Sequence, residues 1–220
     1  MDYSPKIVVF DLDGTITKKD TYLPFLFGFL RNHPQHIFRC GFLPFAVFMH
    51  LAGMRDNTWL KKVFLKAFLK GVNKEIVSEW VNEFVDKTID YGLRDGALYE
   101  LELHKQAGDT LLLVSASLDV YVNTFGGKLG FDYVLCTNAE WDDQDRLTGG
   151  LISNNCYGEE KISRLKEWLH HQNRQHIDIA YSDHHSDIHL LSFAKTGVAV
   201  CPSKKLSSLI HGNRLKLQYW

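Results

Sequence analysis

The sequence predicts an α/β protein: a parallel β-sheet sandwiched between helices, with a helical insert after the first strand and a β-hairpin at the sheet edge. Three observations carry this. Short β-branched runs recur along the chain, helical patterns alternate with them, and one long stretch without a convincing strand interrupts the rhythm. At 220 residues there is length for one substantial core and a second small module.

The first run, Lys6 to Phe10 (KIVVF), suits a strand buried on both faces. From about Thr21 to Tyr91 the pattern turns helical. Phe42 to Met54 reads FLPFAVFMHLAGM, apolar but broken by Pro44, His50 and Gly53. It falls short of the roughly 20 apolar residues a spanning helix requires. A buried helix is the expectation, and a surface that meets a bilayer or an apolar substrate is the alternative. Leu60, Val63, Phe64, Ala67 and Phe68 keep helical spacing, with Lys61, Lys62, Lys66 and Lys70 placed mostly away from them as a solvated face. An anionic-lipid contact is the other reading of those lysines. Asn73 stands where it could cap a helix carrying Ile76, Val77, Trp80, Val81, Phe84, Val85 and Thr88 as a broad stripe.

Beyond the insert the alternation resumes. A helix is expected over Gly96–Ala107 with Asp95 near its N-cap, then a strand over Thr110–Val114 and a helix over Leu118–Leu129. Val134–Trp141 and Arg146–Ile152 flank Asp142-Asp143-Gln144-Asp145 as a hairpin. A helix over Glu159–His170, a strand over Ile177–Tyr181, a helix over Ile188–Ala194 and a strand over Gly197–Cys201, ended by Pro202, complete the chain. The expected division is residues 1–20 with 92–220 as the core and 21–91 as the insert.

Charge narrows the function. The 25 basic and 26 acidic residues nearly cancel, so no global field favours nucleic acid. Cys40, Cys136, Cys156 and Cys201 lie far apart without a CxxC pair and read as reduced thiols. Met1 to Lys6 shows no basic segment leading into a long apolar one, so a cytoplasmic protein is expected, and the apolar insert makes a peripheral position at the inner face of a membrane the alternative.

Four clusters carry chemistry. Asp11-Leu12-Asp13-Gly14-Thr15 follows the first strand, and two acids that turn into one crevice repel each other unless a cation or a shared proton intervenes. A hard ion such as Mg²⁺ suits oxygen ligands and leaves room for phosphate oxygens. Ser115, in Ser115-Ala116-Ser117 after the second strand, offers a hydroxyl and nearby N–H groups to a phosphate oxygen. Lys161 sits early in a helix, where a cation does nothing for the helix itself. Ser182 to Asp187 (SDHHSD) adds Asp183 and Asp187 after the third strand. Strand ends on one edge of a parallel sheet converge on one crevice.

Acid pair, serine, lysine and acid pair, in that order over nearly the whole chain, resemble the haloacid dehalogenase superfamily of phosphohydrolases, which has a Rossmann-like core. The helical insert is most similar to the phosphoserine-phosphatase-like branch, where the insert forms a cap. The resemblance implies that Asp11 attacks phosphorus and that Asp13 serves as general acid, then as base. It implies Mg²⁺ on Asp11, the backbone carbonyl of Asp13 and Asp183. Ser115, Ala116 and Lys161 would hold the phosphoryl group, with Asp187 supporting metal or lysine. The branch carries an acidic residue near the offset of Asp20, which with Arg55 is a candidate for contact with substrate. An alkoxide leaving group needs a proton and a halide does not, so Asp13 favours phosphate esters over halides.

The substrate expected by default is a small phosphorylated metabolite. The phenylalanine-rich insert (Phe25, Phe27, Phe29, Phe38, Phe42, Phe45, Phe48) is also similar to that of phosphatidylglycerophosphatase C, so a phospholipid head group is the alternative. Phosphotransfer to an acceptor other than water, as in mutases, is a third reading. A receiver-type signalling phosphoprotein also uses aspartate, Mg²⁺ and lysine. Its phosphorylated aspartate follows an interior strand, however, and both Asp13 and the large insert argue against it. His184, His185 and His189 lack zinc-site spacing, as do His170 and His171.

Overall fold

The computed structural model describes residues 5–213 and 215–220. Its centre is a six-stranded parallel sheet in the order β3-β2-β1-β6-β7-β8. The strands are β1 (Ile7–Phe10), β2 (Thr110–Leu118), β3 (Tyr133–Thr137), β6 (Ile179–Ser182), β7 (Thr196–Val200) and β8 (Lys216–Gln218). All five pairings are parallel. Strand β1 is flanked by β2 and β6, so the order reverses at the strand that delivers Asp11 and opens a crevice beyond its C-terminal end.

Alternation along the strands builds two cores. Val8, Phe10, Leu111 and Leu113 face one side and join the cluster that includes the insert, while Ile7, Val9, Leu112 and Val114 face the other. Helices α5 (Asp95–Gln106) and α6 (Asp119–Leu129) cover the first face. Helices α7 (Glu159–His171) and α8 (Ile188–Phe193) cover the second.

The insert holds α1 (Tyr22–Asn32), a 3-10 segment (Pro34–Phe42), α2 (Leu43–Leu51), α3 (Asn57–Leu69) and α4 (Lys74–Gly92). The chain enters and leaves it side by side: Lys18 N–H donates to the Gly92 carbonyl at 2.8 Å, and Arg94 N–H to the Ile16 carbonyl at 2.9 Å. The hairpin of β4 (Ala139–Trp141) and β5 (Leu147–Leu151) makes its own two-stranded ladder after edge strand β3. It backs onto the insert, where Gly71 N–H reaches the Leu147 carbonyl at 2.7 Å. All four cysteines are free.

Several expectations are corrected. The apolar run forms α2, but only Leu43 and Ala46 of that helix are buried, while Phe42, Phe45, Phe48, Leu51 and Met54 are exposed. Nothing in the described chain packs over them as the expected core would. Helix α3 starts at an Asp56 cap, whose carboxylate accepts from Trp59 N–H at 2.6 Å, whereas Asn73 makes no side-chain cap on α4. Ile76 is exposed rather than part of the α4 stripe. Lys61 is buried instead of lying on a solvated face. The edge strand β8 has no counterpart among the expected strands.

Candidate active site

The crevice is built from four chain segments that meet beyond β1. Asp11 leaves the strand fully extended, then Gly14 takes φ +83°, a left-handed turn that glycine adopts without strain. A Cβ on Gly14 would overlap the Asp183 carboxylate, so the missing side chain lets the loop after β6 close onto the first motif.

Asp11 is buried and divided between two partners. Its Oδ1 accepts from Lys161 Nζ at 2.6 Å, and its Oδ2 lies 3.2 Å from the Thr15 hydroxyl. The same hydroxyl is 3.4 Å from Asp183 Oδ1 and accepts from Asp183 N–H at 3.0 Å, which seats the two carboxylates on either side of one oxygen. Burial raises the Asp11 carboxyl to about 8, with Lys161 pulling it down and Asp187 and Asp183 pushing it further up. Burial likewise lifts Asp183 to about 6, reinforced by Asp187. Two crowded carboxylates that both resist ionisation are a donor set for a hard cation.

Lys161, in the first turn of α7, bridges Asp11 and Asp187, the latter at 2.7 Å. Burial opposes its charge, but the two carboxylates win and hold it well above the usual lysine value. Ser182 Oγ also donates to Asp187 Oδ2 at 2.8 Å, which fixes that carboxylate behind the lysine.

Asp13 points the other way. Its Oδ1 accepts from Thr21 N–H at 2.7 Å and from the Thr21 hydroxyl at 2.6 Å, and its Oδ2 from the Ser117 hydroxyl at 2.6 Å. Burial, with Asp20 adding repulsion, still raises it above the ordinary carboxylate range against those bonds. Among the described residues no three acidic, histidine or cysteine side chains cluster as metal ligands. The Asp13 carboxylate is engaged by Thr21 and Ser117, so of Asp13 the backbone carbonyl is the group left for a metal beside the carboxylates of Asp11 and Asp183.

Ser115 is buried, and its Oγ accepts from Ser117 N–H at 3.0 Å. Strand β2 does not end at Val114 as expected. Val114 pairs with Leu135 and Leu118 with Thr137, so Ser115 to Ser117 bulge out of the ladder toward the crevice.

Lys61 is the member that sequence reading missed. Its ammonium donates to the Ala116 carbonyl and, at 2.8 Å, to Asn155 Oδ1, and it lies 5.2 Å from the centre of the Tyr22 ring. Burial lowers it to about 8, even though Asp13 and Asp20 favour its charge. One signal was available: Lys61 lies three, four and seven residues before Phe64, Leu65 and Phe68, on the buried stripe itself. Thr15, Thr21, Ser117 and Asn155 join the site through hydrogen bonds that no spacing announces. Asp20 is exposed and accepts from Tyr22 N–H at 3.0 Å at the start of α1. Arg55 is exposed too, with its guanidinium 5.5 Å from the centre of the Trp59 ring and no recorded contact to the motif residues.

Known proteins resemble this chain in sequence and in fold. A family model described as haloacid dehalogenase-like hydrolase matches residues 8–192. Protein CicA of Caulobacter vibrioides is 31% identical over 194 residues, covering 88% of this chain and 85% of that protein. A histidinol-phosphatase of Neisseria meningitidis is 28% identical over 110 residues, 48% of this chain and 50% of that one. Among solved structures, a substrate-bound phosphoserine phosphatase superposes with TM-score 0.67 at 18% identity, over 98% of this chain and 93% of the other.

Proposed function

This chain belongs to the haloacid dehalogenase-like hydrolase family; from that premise we propose that it is a phosphatase, hydrolysing phosphomonoesters with Mg²⁺ through an aspartyl-phosphate on Asp11. The supporting observation is the division of Asp11, with one oxygen against Lys161 and the other facing Asp183 across the Thr15 hydroxyl. A bound Mg²⁺ would sit on Asp11, the backbone carbonyl of Asp13 and Asp183, and would neutralise carboxylate and phosphoryl charge.

An Asp11 oxygen forms the bond to phosphorus as the ester P–O bond breaks. Asp13, whose carboxyl burial raises above its ordinary value, gives its proton to the departing alkoxide. Asp13 then takes a proton from water, the water oxygen bonds phosphorus, and the acyl-phosphate P–O bond breaks to free Asp11 and phosphate. Lys161 and the Ser115–Ala116 segment spread the charge of the equatorial oxygens, with Asp187 orienting the lysine. Residues 1–20 and 92–220 act as the catalytic core and 21–91 as its cap.

Asp11→Asn tests this. Turnover of an aryl phosphate is expected to fall by about 10⁴-fold or more, with thermal unfolding kept within a few degrees. Substantial residual activity would remove the nucleophile assignment. Inorganic phosphate released in equal amount to ester consumed separates hydrolysis from transfer to another acceptor.

A small phosphorylated metabolite is the default substrate, in line with the small phosphate esters named in the related phosphatases. A second reading, a phospholipid head group met at a membrane surface, is favoured by the outer face of the cap. Phe38, Phe42, Phe45 and Phe48 recur at helical spacing and are exposed, Phe38 by 90%. Residues 21–55 contain Arg31, Arg39 and Arg55 but no acidic residue. An apolar stripe on a segment that carries arginines and no acid suits an anionic interface, and no described helix is long and apolar enough to cross a membrane. Co-sedimentation with phosphatidylcholine vesicles, with and without phosphatidylglycerol, tests it. Pelleting that needs the anionic lipid and is lost in Phe38→Ser/Phe45→Ser/Phe48→Ser supports the reading, and recovery in the supernatant refutes it.

A further inference from the structure

Lys61 belongs to α3 of the insert, yet its ammonium ends in the core, on the Ala116 carbonyl and Asn155 Oδ1. Thr137 Oγ1 lies within hydrogen-bond distance of the same two oxygens, at 2.7 and 2.9 Å. Neutral oxygens repay the burial of an ammonium poorly, so the contact makes little sense as a stabilising one. Its consequence lies in what it grips.

The Ala116 carbonyl and the Ser117 N–H are two ends of one planar peptide unit. The N–H end donates to Ser115 Oγ at 3.0 Å, and the Ser117 side chain that leaves this unit donates to Asp13 Oδ2 at 2.6 Å. Because Ser115 to Ser117 stand out of the β-ladder, backbone pairing does not set the orientation of this peptide. Two side chains grip its carbonyl instead, the Thr137 hydroxyl from the core and the Lys61 ammonium from the insert. The path is short: Lys61 Nζ, the Ala116–Ser117 peptide, the Ser117 hydroxyl, Asp13.

We propose that Lys61 is a positioning residue that couples the docked helical insert to the proton-donating carboxyl of Asp13, by clamping the Ala116–Ser117 peptide so that the Ser117 hydroxyl holds Asp13 toward the leaving oxygen. The inference rests on Asp13 being the general acid. With the insert away from the crevice, the clamp is absent and proton donation is poorly aimed. With the insert docked, protonation of the leaving group becomes efficient. Chemistry is thereby tied to a closed crevice without the lysine touching the substrate.

The test compares phenyl phosphate, whose leaving group needs a proton, with p-nitrophenyl phosphate, whose leaving group needs little help, using the full chain with Mg²⁺. Lys61→Met is expected to lower kcat for phenyl phosphate on the order of tenfold more than for p-nitrophenyl phosphate, with KM moving less than kcat. Ser117→Ala is expected to give the same leaving-group pattern, and the double variant no further loss, because both act on one path. Equal losses on the two esters, or losses that add in the double variant, overturn the coupling. Asp13→Asn on the same pair of esters separates the two ideas. If it discriminates between them and Lys61→Met does not, the coupling alone falls. If Asp13→Asn does not discriminate, the general-acid assignment falls and takes the coupling with it.

Discussion

The floor and the roof of the crevice each bury a lysine, and their surroundings differ in one respect. On the floor, Lys161 sits between Asp11 and Asp187, and two carboxylates outweigh the cost of burial to hold its proton firmly. In the roof, Lys61 meets a backbone carbonyl, an amide oxygen and the face of Tyr22, so burial wins and its proton is held more loosely, to about 8. Burial is common to both. What decides a buried cation's character is whether carboxylates touch it directly or only act from a distance, as Asp13 and Asp20 do on Lys61.

The widest separation between the two should appear in stability. Lys161→Met leaves Asp11 and Asp187 buried without their cation and is expected to cost about 3–5 kcal/mol in urea unfolding at neutral pH. Lys61→Met strands no charge and is expected to be neutral or stabilising, since it relieves a poorly compensated ammonium. Equal losses in the two variants would break the contrast.

Metal sharpens the account of the floor. Burial and mutual repulsion raise Asp11 to about 8 and Asp183 to about 6 from an ordinary 3.8, so the folded chain holds more protons there than the unfolded chain. Without metal, stability should therefore fall as pH rises through that window. Bound on these carboxylates as proposed, Mg²⁺ would compete with those same protons. The rise in thermal midpoint at fixed Mg²⁺ should grow from about pH 5 to about pH 8. A shift independent of pH would deny that these carboxylates receive the ion.

The roof has the opposite sign. The folded-state value of Lys61 lies below the ordinary 10.5, so above about 8 the unfolded chain binds more protons. The stability of the natural protein relative to Lys61→Met should rise as pH climbs from about 8 toward 10.5. The smallest effect belongs to the outer face of the roof: Phe38→Ser should shift unfolding by no more than about 0.5 kcal/mol, because this ring is already in water, with Phe45→Ser and Phe48→Ser costing somewhat more as those rings are partly covered.

Legibility in the sequence follows the range of the interaction. Strands β1, β2, β6 and β7 and helices α5 to α8 are readable because their patterns are local and their faces alternate with a fixed period. The motif acids and Ser115 are readable because a parallel sheet brings its strand ends to one edge, and Lys161, at the start of α7, through its place in the motif order. Strand β8 is not, since Lys216 to Gln218 is a short edge strand with two exposed positions. The bulge at Ser115 to Ser117 is invisible for another reason: β2 and β3 go out of register only through their mutual pairing.

By itself, then, the chain determined an alternating α/β core, a helical insert and the set of groups that could handle a phosphoryl group. Those properties reside in periodicity and in residue type at strand ends. Tertiary structure alone decided that Asp11 and Asp183 face each other across the Thr15 hydroxyl while the carboxyl of Asp13 turns away. It alone put Lys61 inside and the phenylalanines of the 3-10 segment and α2 outside. Spacing along a helix specifies a face. Which face is covered depends on what the rest of the chain packs against it.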